Sequence, residues 1–290
     1  MVGMTVVARL VCDQPTARQL VASLGESLED AVCAAFEDDS GQWQVAIHFP
    51  ELPDEAALRK LVALAAGEAA AAALTIETVT ETDWVAQSLA GLKPVRAGRF
   101  IVHGAHDRAR VRPNDIGIEI EAALAFGTGH HGTTRGCLLA LDDLAKRRRA
   151  RKVLDLGTGS GVLAIAAAKR LRARSIASDI DPVAVEAARG NARLNHAATA
   201  ITFVRAAGTK ARAIARGAPY DLIFANILLG PLLRLAVPLC RLAGASAHIV
   251  LSGLLPAHAN AVIAIYRAQG LVLERRITLD GWVTLVMINS

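Results

Sequence analysis

Apolar positions along this chain come in short runs whose spacing changes near residue 80. Thr5–Cys12 is rich in β-branched residues and reads as a strand, and Thr16–Leu24 reads as a helix. Ala31–Phe36 and Trp43–His48 are strand-like runs that bracket the turn formers Asp38-Asp39-Ser40-Gly41, as in a hairpin. Pro53-Asp54-Glu55 opens a helix with acids in its first turn, and Ala73–Val79 closes the region as a strand. The order βαββαβ predicts a small ferredoxin-like α+β domain over 1–80, with helices on one face of an open sheet.

Thr80–Arg112 carries Trp84, Pro94 and Gly98 with little helical period, which predicts a linker and lead-in strands over 81–112. A larger domain is expected over 113–290. From Thr133 onward a helix precedes strand Lys152–Leu156, helix Leu163–Arg170, strand Ser175–Asp179, helix Pro182–Leu194, strand Ile201–Val204 and strand Asp221–Ala225. Helix Pro231–Leu242, strand Ala247–Leu251, helix Ala257–Gln269 and strands Leu271–Ile277 and Trp282–Ile288 complete the order. Strands alternating with helices imply an α/β, Rossmann-like domain with a parallel, doubly wound sheet of seven strands, the last two forming an antiparallel pair. Ligands are expected at the carboxyl ends of its strands.

Composition narrows the class without naming a reaction. With 53% apolar and 20% charged residues, the 290-residue chain is globular rather than disordered and long enough for two cores. Cys12, Cys33, Cys137 and Cys240 form no C-x-x-C pair, so neither a zinc site nor a disulfide framework is expected. Arg9 and Asp13 interrupt the first apolar run before it reaches the length of a signal peptide. Leu242–Tyr266 lacks formal charge, but Ser252-Gly253, Pro256 and Asn260 break it into a buried strand and a helix rather than a membrane span. A soluble, cytoplasmic monomer is the resulting expectation. The net charge of +5 permits an acidic or nucleic-acid partner without requiring one. Its sharpest concentration, Lys146-Arg147-Arg148-Arg149-Ala150-Arg151-Lys152, reads first as a solvated connection between helix and strand, and second as an RNA-contacting patch.

Candidate chemistry centres on Val153-Leu154-Asp155-Leu156-Gly157-Thr158-Gly159-Ser160-Gly161, an apolar strand running into alternate glycines, with Asp179 following 18 residues after Gly161. A dinucleotide fingerprint needs G-x-G-x-x-G, so that a pyrophosphate can sit on a helix N-terminus, and the position that completes it here is Val162. The pattern is instead D-x-G-x-G-x-G. Gly157, Gly159 and Gly161 let the backbone approach a cofactor without diphosphate, and Asp155 can organise the loop, which is the shape of an S-adenosylmethionine site. Asp179 is placed to accept hydrogen bonds from both ribose hydroxyls, while Asp181 caps the next helix, which has Pro182 at its first position. The stretch Arg205-Ala206-Ala207-Gly208-Thr209, where an acid or amide often reads adenine, has no carboxylate, so backbone and apolar contacts are expected there.

Asn226-Ile227-Leu228-Leu229-Gly230-Pro231-Leu232 follows the fourth strand of the larger domain. The Asn226 side-chain oxygen can accept hydrogen bonds from a substrate amine and aim its lone pair at a sulfonium methyl; the alternative is an asparagine that ends a strand in a turn. The segment is similar to the Asn-Pro-Pro-Tyr motif of amino-group methyltransferases, without its tyrosine. Ala125-Phe126-Gly127-Thr128-Gly129-His130-His131-Gly132-Thr133-Thr134-Arg135 lies ahead of the fold core. Adjacent histidines lack i, i+4 ligand spacing, so the segment is read as a glycine loop with Thr133 or Thr134 capping a helix, not as a metal site. As a lid over the cofactor it brings Phe126 and Gly127 against the ligand.

On these residues the chain resembles the bacterial PrmA family, the methyltransferases of ribosomal protein eleven of the large subunit. The resemblance rests on Phe126–Thr134, the glycine turn, Asp179–Pro182 and Asn226–Leu232, with Leu251-Ser252-Gly253-Leu254-Leu255 and Trp282 further on. It covers most of residues 83–290. It departs at Gly132, where the family often has proline, and at His130, where threonine is common. The resemblance implies S-adenosylmethionine contacts at Thr134, Gly157, Asp179 and Asn226, with S-adenosylhomocysteine as product. It also implies an N-terminal domain that recognises ribosomal protein eleven, and transfer to lysine ε-amines and an N-terminal amine. An RNA base-amine methyltransferase, another protein-lysine methyltransferase and a non-catalytic cofactor-binding assembly factor are the alternatives. Against the RNA enzyme, the N-terminal strands carry few of the basic and aromatic residues that stack bases.

Overall fold

The computed structural model describes residues 4–28, 31–37, 42–49, 52–80, 94–120 and 131–289. They fall into two compact units, Met1–Gly91 and Leu92–Ser290. The hairpin turn expected at 38–41, residues 81–93 of the linker and residues 121–130 lie outside the described residues.

In the first unit β1 (Met4–Cys12), β2 (Val32–Glu37), β3 (Trp43–Phe49) and β4 (Thr75–Thr80) form an antiparallel sheet in the order β2-β3-β1-β4. Alternation selects its buried face. Val6, Ala8 and Leu10 of β1 and Val45, Ile47 and Phe49 of β3 share one core with Leu20 and Leu24 of α1 (Gln14–Ser27) and Leu58 and Val62 of α2 (Glu55–Ala66). Asp13 and Asp54 cap these helices, accepting backbone N–H bonds from Thr16 (2.8 Å) and from Ala56 and Ala57 (3.0 and 3.1 Å). A short α3 (Glu68–Ala72) precedes β4 and was not expected, because its alanines carry no periodic signal. Gly67, at φ +89°, separates it from α2.

The second unit begins with a small sheet of β5 (Val95–Ala97), β6 (Phe100–His103) and β7 (Ile116–Glu119). Asn195 ties it down, accepting from Glu119 N–H (2.9 Å) and donating to the Glu119 carbonyl (2.6 Å), much as a neighbouring strand does. After α4 (His131–Arg147) come β8 (Lys152–Leu156), α5 (Val162–Leu171), β9 (Arg174–Asp179), α6 (Pro182–Leu194) and β10 (Ile201–Arg205). Then follow α7 (Arg212–Gly217), β11 (Tyr220–Asn226), α8 (Leu229–Arg234), α9 (Ala236–Leu242), β12 (Ala243–Leu254), α10 (Pro256–Arg267), β13 (Leu271–Leu279) and β14 (Trp282–Asn289). The sheet order is β10-β9-β8-β11-β12-β14-β13, parallel from β10 to β12, with β14 antiparallel to both neighbours. Consecutive strand residues bury opposite ways: Val153 and Phe224 enter the core with α4 and α5, Leu154 and Ile223 the core with α8 and α10. The order reverses between β8 and β11, opening a crevice at their carboxyl ends. Among the described residues no helix is long and apolar enough to cross a membrane, and the uncharged run near 242–266 forms β12 and α10.

Two sequence expectations need correction. The helix expected over Pro231–Leu242 is two helices meeting at Leu235, because Pro238 has no N–H to donate to the Arg234 carbonyl. Neither Thr133 nor Thr134 caps α4, which begins earlier, at His131. Gly132 and Gly136 share a face of this helix and let the β13–β14 hairpin approach. A Cβ at Gly132 falls 2.8 Å from the Leu279 carbonyl oxygen, and one at Gly136 collides with the Thr284 hydroxyl. By contrast, Gly190 within α6 has open space around it. Gly136→Ala is therefore expected to lower the unfolding free energy by about 1–3 kcal/mol. Gly190→Ala is expected to raise it by up to ~1 kcal/mol. Urea denaturation reads both, and shifts of the same sign contradict this packing.

Candidate active site

The crevice is organised by two carboxylates acting on one glycine turn. Asp155 of β8 is buried, and its Oδ2 accepts from the Thr158 hydroxyl (2.6 Å) and the Ala164 N–H (3.0 Å). Burial pushes its pKa up to about 6; the two hydrogen bonds pull it down, and the nearby charge of Asp179 adds to the rise. Gly157 and Thr158 donate backbone N–H bonds to the Ser178 carbonyl of β9 (2.8 and 2.9 Å). From α6 the buried Asn191 amide donates to the Ser160 carbonyl (2.9 Å). The turn is thus fixed from three sides.

All three glycines have left-handed backbones, with φ of +70°, +51° and +82° for Gly157, Gly159 and Gly161. Their surroundings assign them different tasks. A Cβ on Gly157 collides with the Ile227 side chain, and one on Gly161 falls 3.0 Å from the Ala188 Cβ. Around Gly159 nothing lies within 4 Å of that position, so this peptide faces open space.

Asp179 ends β9 and turns back onto the same loop. Its Oδ2 accepts from the Gly159 N–H (2.9 Å) and its Oδ1 from the Asp181 N–H (3.1 Å). Asp181 caps α6 by accepting from the Val183 N–H (2.8 Å). A carboxylate oxygen accepts two hydrogen bonds, so each Asp179 oxygen keeps one acceptor position for a ligand. Gly157 and Asp179 line a cleft of about 540 Å³ together with Ile180, Ala206, Ala207, Gly208, Ile227 and Leu228. Its volume falls within the usual range for small-molecule sites, and the stretch 206–208 contributes no ionisable group.

Asn226, Thr134, Gly159 and Gly161 do not line this cleft. Asn226 ends β11 beside Ser252 of β12, and its side chain makes no hydrogen bond among the described residues. The buried Ser252 hydroxyl donates to the Thr133 carbonyl (3.3 Å) and shares a 2.8 Å hydrogen bond with the Thr284 hydroxyl. The first turn of α4, which carries Thr134, is thereby fixed beside the Asn226 strand end. Gly253, at φ +84°, permits a close approach, since a Cβ there collides with the Ile227 carbonyl. Phe126 and Gly127 lie outside the described residues. Among the described residues no three His, Cys, Asp or Glu side chains converge on a metal-sized site.

The sheet order, the antiparallel β14, the glycine turn after β8 and the acid ending β9 define a class I S-adenosylmethionine-dependent methyltransferase fold. The chain belongs to the ribosomal protein L11 methyltransferase (PrmA) family, whose model matches residues 21–290. It is 52% identical over 283 residues to the ribosomal protein L11 methyltransferase of Rhodopseudomonas palustris, covering 97% of this chain and 96% of that one. It is 53% identical over 276 residues to that of Bradyrhizobium diazoefficiens, covering 94% of each. The crystal structure of the ribosomal protein L11 methylase of Lactobacillus delbrueckii subsp. bulgaricus superimposes with a TM-score of 0.61 at 25% identity, over 68% of this chain and 98% of that one.

The state of Asp155 supplies a prediction. With a folded pKa near 6 against an ordinary 3.8, Asp155 binds more protons folded than unfolded between those values, so its contribution is present at low pH and lost as pH rises through 6. From pH 7 to pH 5 the wild type should gain about 1 kcal/mol of stability relative to Asp155→Asn. An unchanged difference in urea denaturation at the two pH values contradicts the raised pKa.

Proposed function

We propose that this chain transfers methyl groups from S-adenosylmethionine to lysine ε-amines and the N-terminal α-amine of ribosomal protein L11. The observation that carries this reading is the pairing, at one sheet end, of an acceptor-lined cleft at Asp179 with an Asn226 amide that makes no hydrogen bond among the described residues. Family membership supplies the protein substrate.

The cleft suits the cofactor. Asp179 offers two acceptor positions to ribose hydroxyls, and Ile180, Leu228 and the 206–208 backbone offer apolar contact to adenine; the open side of Gly159, beyond the cleft lining, is assigned to the amino-acid end. Thr134, with Phe126 and Gly127, is assigned to the methionine side. When bound, S-adenosylmethionine supplies an electrophilic sulfonium methyl and leaves as S-adenosylhomocysteine.

The chain's own work is to deliver a neutral amine. A lysine amine with an ordinary pKa of ~10.4 has no free lone pair while protonated. Desolvation beside Ile227 favours its neutral form, and the Asn226 side-chain oxygen orients it by accepting an N–H bond. No covalent intermediate is needed. The N-terminal unit is assigned to recognising ribosomal protein L11, and the enzyme to the cytoplasm as a monomer.

Intact-mass analysis of ribosomal protein L11 incubated with the enzyme and S-adenosylmethionine tests the reading. Whole-methyl increments are expected. Asn226→Ala should slow single-turnover transfer about 100-fold or more while changing the calorimetric cofactor Kd less than about threefold, because it touches the amine. Asp179→Ala should weaken cofactor binding at least about tenfold. The reverse pattern, or cofactor binding with no mass change, contradicts the assignment.

A further inference from the structure

At the amino-terminal end of the parallel sheet, opposite the cleft, cations from separate segments meet. Arg148 and Arg149 leave α4, Arg151 and Lys152 open β8, and Arg172 and Arg174 flank the start of β9. The Arg174 N–H donates to the Arg151 carbonyl (2.8 Å), and Lys152 and Arg174 are register partners on adjacent strands, so the segments lie one strand spacing apart. All six side chains are exposed, and none makes an ion pair or side-chain hydrogen bond among the described residues.

Their neighbours differ. Lys146 pairs with Asp142 (3.5 Å), and Arg147 with Asp143 (3.0 Å) and Glu274 (2.8 Å). The carboxylate at this edge, Asp221, uses its Oδ2 to accept the Arg151 and Lys152 backbone N–H groups (2.7 and 2.9 Å), holding the edge in shape. Arg148 and Arg149 also rim a cleft of about 190 Å³ with Asp221, Ser246 and His248. The fold therefore gathers six like charges on two neighbouring segments at one end of the sheet, with no side-chain partner for them among the described residues.

We propose that this edge binds the phosphate backbone of RNA without reading its sequence. Five of the six groups are guanidiniums, which pair with phosphate through two parallel N–H bonds. The two segments present no exposed aromatic side chain to stack a base, which removes sequence preference, and no large exposed apolar side chain to enter a membrane. The strands of five and six residues put about 15–20 Å between this edge and the cleft. RNA held here is a docking partner, not the methyl acceptor. That it brings the enzyme to a ribosomal protein already on RNA rests on the methyltransferase reading; RNA binding itself does not.

The test uses the full chain and a fluorescently labelled single-stranded RNA of mixed sequence in a salt titration. The logarithm of the association constant should fall with log salt at a slope of roughly −3 to −4, for four to six phosphates. The triple variant Arg149→Glu/Arg151→Glu/Arg174→Glu should lose at least about tenfold in affinity and flatten the slope by about 2. The milder Arg149→Gln/Arg174→Gln should show the same direction, guarding against a folding defect. Methylation of free ribosomal protein L11 should be unchanged in both. Absence of RNA binding at low salt, or binding indifferent to these substitutions, overturns the proposal. So does capture by phosphatidylserine vesicles without capture by RNA. A wild type that binds RNA but methylates nothing sinks the methyltransferase reading and leaves this one standing.

Discussion

Everything at the cofactor end depends on holding a backbone of three left-handed glycines in one shape. Such a turn loses more freedom on ordering than any other run of residues, so it adopts one conformation only if its polar groups are held individually. Asp155 holds it from beneath through Thr158 and the first turn of α5, and Asp179 from the side through the Gly159 N–H. The Ser178 carbonyl and the Asn191 amide complete the hold. The result is a preformed surface whose ordering cost is met during folding rather than on ligand binding.

The two carboxylates divide the labour by burial. Asp155, out of contact with water, has its proton affinity raised and serves the fold. Asp179, half-exposed, keeps acceptor capacity facing the cleft while still restraining the loop. Placing both at the carboxyl end of the sheet concentrates negative charge there, and six cations without a charged partner among the described residues gather about the amino end of the same two strands. Each strand thus joins two electrostatically opposite surfaces, one suited to a sulfonium ligand and one to a polyanion. Between Asn226 and α4 runs a second line of restraint, through Ser252 and Thr284, which seats the start of α4 without engaging the Asn226 side chain.

Much of this was legible in the sequence, and what was not has physical reasons. Strands of the larger sheet are short apolar runs ended by Gly157, Asp179 or Asn226, so their order, and the roles of Asp155 and Asp181 in loop and cap, followed from local pattern. Helix α7 is six residues long with Ile214 as its one large apolar residue, too short to show a period, and the break at Leu235 depends on one missing N–H at Pro238. The extra residues that frame the site, Asn191, Ser252 and Thr284, act through partners 31, 119 and 32 residues away, which no local pattern signals. The closeness of α4 to the final hairpin was recoverable in principle from Gly132 and Gly136 at i, i+4 spacing. Of the cationic edge only the run at 148–152 was visible, because Arg172 and Arg174 join it through strand pairing.

The most direct test of the central claim is a crystal structure of the chain with S-adenosylhomocysteine. The account predicts ribose hydroxyls on the Asp179 carboxylate and adenine between Ile180, Leu228 and the 206–208 backbone. The Gly157–Gly161 turn should keep the path described above to within about 1 Å. A ligand bound elsewhere on the sheet, or a glycine turn rebuilt around it with Asp155 or Asp179 released, would contradict a preformed, doubly anchored site.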